Sequence, residues 1–239
     1  MAKIKKKSTK THFDTTEELR SIAHNVSDQY MARKKLVNTV LLAVIALSVV
    51  AVIYVMINAN QEKSAGMLVE TAYASYSGSA GSGPNYDKAL QGFQDVVKQY
   101  GSTLNGAIAQ FYIGNTMAQM GRTDDAMKAY LECTKRYSGK KFISAIAFQR
   151  MGYLYDKIGK QEEAIAAFKQ AEALSGAGLA TVELAHLYEM TGKSKEALEK
   201  YKELTDKLPG TTFAMSARSK LPPPDLSAAK TAPSGTSAK

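Results

Sequence analysis

The chain has 239 residues, 45% of them hydrophobic, and a formal net charge of +9, enough for one substantial domain with appendages. Its single cysteine, Cys133, excludes an internal disulfide framework and says nothing about the redox compartment. The basicity is no nucleic-acid signature: residues 1–35 hold nine Lys/Arg against four Asp/Glu, so +5 of the charge belongs to a short leading segment, and both signs interleave along the rest.

Residues 1–36 form a basic tail. The first twelve are Lys-rich and polar and are expected to be disordered. Thr15 and Glu18 then stand in capping-box spacing, and Leu19, Ile22, Ala23, Val26 and Tyr30 follow at helical spacing, so a short, weakly amphipathic helix is expected. Such a helix suits a lipid-headgroup surface or a cytoplasmic docking partner. His12 and His24 have no Cys or paired carboxylate nearby and are expected to be solvated.

Residues 37–57, VNTVLLAVIALSVVAVIYVMI, contain no charge, no Pro and no Gly. At about 1.5 Å per residue they match the roughly 30 Å hydrocarbon core of a bilayer. A cleaved signal sequence would have a shorter apolar core and a better cleavage site than Ile57-Asn58-Ala59. The segment therefore reads as a single uncleaved transmembrane helix in contact with lipid. Arg33, Lys34 and Lys35 precede it and only Lys63 follows closely, so the positive-inside rule places the N-terminus in the cytoplasm and the rest across the membrane. With no Pro after Ile57 before the Gly/Ser-rich stretch at 77–85, and only Gly66, the helix is expected to run on into the next domain.

Residues 58–221 carry an internal repeat. FYIGNTMAQMGRTDDAMKAY (111–130), QRMGYLYDKIGKQEEAIAAF (149–168) and VELAHLYEMTGKSKEALEKY (182–201) each read as helix, Gly turn, helix. The small residue of the first helix is Gly114, Gly152 or Ala185. Three residues later stand Met117, Tyr155 and Tyr188. The turn glycines are Gly121, Gly159 and Gly192. The second helix carries Ala126, Ala164 and Ala197, and four residues on Tyr130, Phe168 and Tyr201. Cys133, Ala171 and Leu204 follow, and Phe148 is the one large aromatic early in a first helix. These residues resemble the tetratricopeptide repeat. The repeat-ending Pro of that motif appears only as Pro209, with Ser138 and Gly176 in its place elsewhere.

Gly114 and Gly152 are expected to mark close crossings against Ala126 and Ala164, and Thr123 and Ser194 to cap the second helices. Upstream, YDKALQGFQDVVKQYG (86–101) has the second-helix pattern with Ala89 and Phe93, and its first helix is expected near 60–76. Residues 211–221 read as a capping helix. Residues 222–239, opening on three prolines, read as a disordered tail. The predicted fold is all-α: one transmembrane helix, then a solenoid of about three to four helix pairs.

The sequence holds no catalytic constellation. His186 is the only histidine outside the tail, Cys133 sits at a packing position, and there is no phosphate loop and no CxxC pair. No enzyme, cofactor, metal, nucleic acid or small-molecule substrate is expected. The resemblance implies a peptide groove on the first helices. In the first copy it would be lined by Phe111, Asn115 and Gln119, in the second by Gln149, Tyr153 and Lys157, and in the third by Val182, His186 and Glu189. Repeat domains that grip a C-terminal carboxylate use cations on this face. Here only Asn115 fits, so that clamp is not expected, and the surface suits permissive contact with extended segments.

The layout of basic tail, anchor and exported repeats resembles the bacterial ancillary Sec translocon subunit family (YfgM-like). That resemblance implies a periplasmic adaptor or chaperone-like protein of the inner membrane, with translocon components or periplasmic chaperones as partners. A scaffold of envelope assembly or division is the alternative. An organelle import receptor is a third reading, against which the Lys-rich tail argues.

Overall fold

The structure, a computed structural model, describes residues 15–78 and 81–223, with only the backbone for 15–18 and 29. The Lys-rich start, His12, the Thr15–Glu18 side-chain box and residues 224–239 lie outside the described residues. All regular elements among those described are α-helices: α1 (Thr15–Ser77), α2 (Tyr86–Tyr100), α3 (Leu104–Gln119), α4 (Thr123–Arg136), α5 (Lys141–Lys157), α6 (Gln161–Ser175), α7 (Leu179–Met190), α8 (Ser194–Lys207) and α9 (Thr212–Arg218). The chain divides into a unit of residues 1–58 and a unit of residues 59–239.

In the first unit, α1 leaves helical geometry only at Arg33 (φ −115°, ψ 16°), so the tail helix and the apolar helix meet at a kink. The Tyr30 hydroxyl donates to Asn38 Oδ1 across it at 3.2 Å. The apolar stretch is exposed throughout: Leu42, Leu47 and Tyr54 are 67–70% accessible. Its two aliphatic hydroxyls are satisfied within the helix, Thr39 Oγ1 donating to the Lys35 carbonyl and Ser48 Oγ to that of Val44, each at 2.8 Å. This is the one helix among the described residues long and apolar enough to cross a membrane.

In the second unit, α2 through α9 each pack on the next helix in sequence, the signature of a solenoid. The second helices bury residues at i, i+4 and i+7, one stripe per helix: Ala89, Phe93 and Val96 on α2; Ala126, Tyr130 and Cys133 on α4; Ala164, Phe168 and Ala171 on α6; Ala197, Tyr201 and Leu204 on α8. In the degenerate upstream pair, α2 thus carries the same buried stripe as the other three second helices. First helices lie between two neighbours and are buried on more sides, as α3 is from Gly106 to Thr116. Three clusters form the core, and shared residues join them: Tyr112 and Met117 touch the first two, Phe148 and Tyr155 the last two. At the far end α9 packs on α8 and buries Ala214 and Ala217, in the expected capping position.

Each turn within a repeat is a Schellman motif. Gly121 has φ +75°, and its N–H donates to the Ala118 carbonyl while that of Arg122 reaches Met117. Gly159 with Lys160, and Gly192 with Lys193, repeat the pattern onto Asp156 and Tyr155 and onto Glu189 and Tyr188. The carbonyl that closes each motif belongs to Met117, Tyr155 or Tyr188.

Two expectations about packing are corrected. Thr123 and Ser194 do not cap their helices; the caps are Arg122 and Lys193, without a side-chain bond. The turn is so short that the residue closing the Schellman motif is itself the next N-cap, which pushes Thr123 and Ser194 to the first helical position. The closest neighbours of Gly114 and Gly152 are not Ala126 and Ala164 but the second-helix rings. A Cβ on Gly114 would fall within 2.5–2.9 Å of the Tyr130 ring, and one on Gly152 within 2.7–2.8 Å of the Phe168 ring. The glycines are seats for the second-helix aromatics.

Candidate peptide-binding surface

The first helices of the second unit, the end of α1 with α3, α5 and α7, form one face. The predicted groove residues divide on it. Phe111 and Asn115 are buried. Phe111 packs in the core with its ring 5.8 Å from that of Tyr130, and Asn115 Oδ1 accepts a 2.6 Å hydrogen bond from the Tyr130 hydroxyl. Neither is free to meet a ligand, so these two assignments are corrected. Gln119, Lys157 and His186 are exposed and Gln149 is half-buried. Val182 packs against the core. Glu189 is exposed and ion-paired with Lys220 at 3.0 Å. That ammonium holds the Glu189 carboxyl below the usual carboxylate range, with the Tyr201 hydroxyl adding to the effect.

Tyr153 is half-buried and its hydroxyl donates to Glu183 Oε1 at 2.9 Å. Burial first, and then this bond to a carboxylate, push its pKa up to about 12. Its ring meets Phe168 edge-on at 5.1 Å, so the bond to Glu183 on α7 is seated on the second repeat's own core.

The face also carries residues that the repeat pattern did not single out. Tyr73 and Tyr76 on α1 converge on Tyr112 of α3, with ring centroids 5.3 and 5.5 Å away, and Tyr86 closes on Tyr76 at 5.8 Å. Phe93 stacks beneath Tyr112 at 5.2 Å. Edge-to-face pairs of this kind form a rigid shelf. Tyr73 remains 43% exposed on it. Arg150 of α5 is exposed and without an acidic partner among the described residues. Burial raises the pKa values of Tyr76 and Tyr112, and the Arg150 charge works against that rise on both. The positions share a register: Tyr112, Arg150 and Glu183 each stand two residues before the small residue of their repeat, Gly114, Gly152 and Ala185. That offset was the available signal.

Cys133 is fully buried, and burial pushes its thiol up to about 12, which suppresses the thiolate at neutral pH. Among the described residues no group of His, Cys, Asp and Glu could hold a metal ion.

Comparison with known proteins places the fold. Residues 108–139 and 145–177 each match a tetratricopeptide repeat family. Such repeats imply a protein–protein interaction adaptor. A tetratricopeptide repeat protein from Parabacteroides merdae aligns with a TM-score of 0.52 at 14% identity, over 66% of this chain and 59% of its own. MamA is also similar, with a TM-score of 0.44 at 23% identity over 57% of this chain and 74% of its own. MamA from Desulfovibrio magneticus gives 0.41 at 18%, over 53% and 69%. No curated protein matches the chain. The chain thus carries tetratricopeptide repeats in an all-α solenoid, and protein–protein interaction is the role the class implies.

Proposed function

We propose that this protein is a membrane-tethered adaptor that holds a peptide-binding repeat domain at the outer face of a bacterial inner membrane, where it meets segments leaving the Sec translocon or carried by periplasmic chaperones. The observation that carries the reading is the exposed apolar helix over residues 37–57. From Val40 to Ile57 every large hydrophobic side chain is half or more accessible, and a run of this kind has no place in water. Back-bonded hydroxyls and the absence of charge suit that stretch to lipid. The cations of residues 33–35 keep the N-terminus on the cytoplasmic side. The solenoid supplies the binding function. On its first-helix face the exposed candidates Gln119, Lys157 and His186 and the half-buried Gln149 and Tyr153 offer mixed polar and aromatic contact, suited to weak association with extended chains. Confinement near the source of such chains raises their effective concentration, so weak contacts suffice.

The test joins topology to partnership. A reporter active only outside the cytoplasm is expected to work when fused after Lys220 and to fail when fused after Arg20. A photo-crosslinker at Tyr153 in intact membranes is expected to trap translocon subunits or emerging chains. The opposite reporter pattern would overturn the periplasmic placement, and crosslinks confined to cytoplasmic proteins would overturn the partner assignment.

A further inference from the structure

The turns of the second unit sort to two edges. Helices joined by short turns reverse direction, so the glycine turns at 121, 159 and 192 share one edge, and the turns between repeats, at 101–103, 137–140, 176–178 and 208–211, share the other. The end of α1 starts at this second edge, where the Glu62 carboxylate accepts from the backbone N–H groups of Leu104 and Asn105 at the head of α3. From there the Arg136 guanidinium lies against Gly101, and the Ser144 hydroxyl donates to the Tyr137 carbonyl at 3.2 Å, which carries the edge on to α5.

The two edges differ in charge. The second helices open at the glycine edge with acid: Asp124 and Asp125 on α4, Glu162 and Glu163 on α6, Glu196 on α8. The other edge is basic where α4 meets α5. Lys135, Arg136, Lys140 and Lys141 stand within seven residues, all exposed, and no acidic residue occurs between Glu132 and Asp156. No carboxylate pairs with any of the four among the described residues. Two of these cations oppose the helix they begin. Lys140 is the N-cap of α5 and Lys141 its first residue, with no side-chain cap and no acid in the first turn. Positive charge there works against the helix dipole. The other cationic N-caps, Arg122, Lys160 and Lys193, are each followed by acid. Next comes Phe142, 72% exposed, more than any large hydrophobic residue of the 37–57 stretch. A single exposed apolar residue is ordinary. An aromatic ring held out among four unpaired cations is the composition of a membrane-interface contact, in which cations meet headgroup phosphates and the ring enters the interfacial layer.

Building on the membrane-tethered reading, we propose that this edge of the solenoid rests on the anionic lipid surface of the bilayer that holds the chain, with Lys135, Arg136, Lys140 and Lys141 among the headgroups and the Phe142 ring between them. Reach permits it. Glu62 stands five residues after Ile57, and whatever their conformation those residues span at most about 17 Å. The edge is thereby confined beside the lipid, so weak contacts suffice. The acids of the glycine edge are repelled by the same surface, and charge sets which edge turns toward it.

The chain has no tryptophan, so one introduced by substitution reports alone. Full-length Phe142→Trp is inserted in phosphatidylcholine nanodiscs with and without phosphatidylglycerol, and in matching discs of brominated lipid. Ile158→Trp, in the glycine turn after α5 and 45% exposed, is the control from the opposite edge. In discs containing phosphatidylglycerol, the Phe142→Trp emission is expected to shift to the blue and to be quenched by bromine, and that of Ile158→Trp to do neither. Adding Lys135→Gln, Lys140→Gln and Lys141→Gln to Phe142→Trp is expected to abolish both signals, since each cation near an anionic surface strengthens attachment about fivefold. These side chains are exposed, and an unchanged circular dichroism melt verifies the fold. A water-exposed, unquenched Phe142→Trp indole in the inserted chain overturns the surface contact and leaves the tether standing. A blue shift without bromine quenching puts the ring against protein and overturns the lipid assignment. Equal quenching without phosphatidylglycerol, or after the three Lys→Gln changes, overturns recognition of anionic lipid. A chain that does not enter the discs overturns the membrane-tethered reading as well.

Discussion

Gly152→Ala tests whether the repeat glycines are seats for aromatic rings. A Cβ at this position would lie 2.7–2.8 Å from three atoms of the Phe168 ring. Ordinary carbon contacts are about 3.5–4.0 Å, so the ring would have to retreat by roughly 1 Å. It has little room, because Phe168 is 1% exposed and its ring abuts Tyr153 at 5.1 Å. Overpacking of this kind costs about 1–3 kcal/mol. Against it stands the helical preference for Ala over Gly, about 1 kcal/mol. The net effect is a loss of up to about 2 kcal/mol, or a few degrees in Tm at about 2–4 °C per kcal/mol for a domain of this size. The informative measurement is a double-mutant cycle of Tm in Gly152→Ala, Phe168→Leu and both. Once the ring is gone, the methyl has space and only the propensity gain remains, so Gly152→Ala is expected to raise Tm in the Phe168→Leu background. Equal shifts in the two backgrounds would refute the reasoning. Ala185, which holds the equivalent place in the third repeat, is an internal control: there Tyr201 is 7% exposed and the site accommodates a methyl.

Two further predictions come from polar contacts. Glu62 caps α3 from a distance, its carboxylate accepting from the backbone N–H of Leu104 and Asn105 and from the Asn105 side chain; Glu62→Ala is expected to lose about 1–2 kcal/mol in thermal melts, and Glu62→Gln less, while no loss in either would mean that the cap contributes nothing. Glu189 and Glu203 are held below the usual carboxylate range, by Lys220 and by Lys207 with Lys200 respectively; their stabilisation is therefore full above the unfolded-state value of about 4.3 and is lost as pH falls through the lower folded values. A Lys220→Met variant is expected to show a smaller drop in Tm between pH 5 and 3 than the parent, and an equal drop would refute the pairing.

The helix count and turn positions were legible because they rest on local rules. A glycine at φ near +75° ends one helix at the same offset in every copy, and the i, i+4, i+7 stripe of the second helices survives even in the degenerate pair at α1 and α2. What the glycines face was not legible. A small residue records a close approach without naming the partner, and Ala126 and Tyr130 lie on the same side of α4 one turn apart. The structure alone separates them. The exposed run of residues 37–57 was legible for a different reason: its length and lack of charge are properties of composition and need no tertiary information.

The groove was partly legible, and its errors have a common cause. The family pattern assigns ligand-facing roles by position, but whether a side chain is free depends on what the opposite helix requires. In the first repeat the second-helix aromatic is Tyr130, almost fully buried, and its hydroxyl must find an acceptor. Asn115 supplies it at 2.6 Å and is thereby removed from the surface. In the second repeat the same position is Phe168, which has no hydroxyl to satisfy. Tyr153, standing where Asn115 stands one repeat earlier, is then released to reach across to Glu183. In the third repeat the aromatic is again a tyrosine, Tyr201, whose pKa is pushed up to about 12 by burial first and then by the Glu189 carboxylate, and His186 in the Asn115 position stays exposed. One choice at the second-helix aromatic, hydroxyl or none, and the acceptor that hydroxyl finds, thus decides which first-helix residues a ligand can reach. Exchanging Phe168 and Tyr130 between repeats would alter the groove without touching a groove residue.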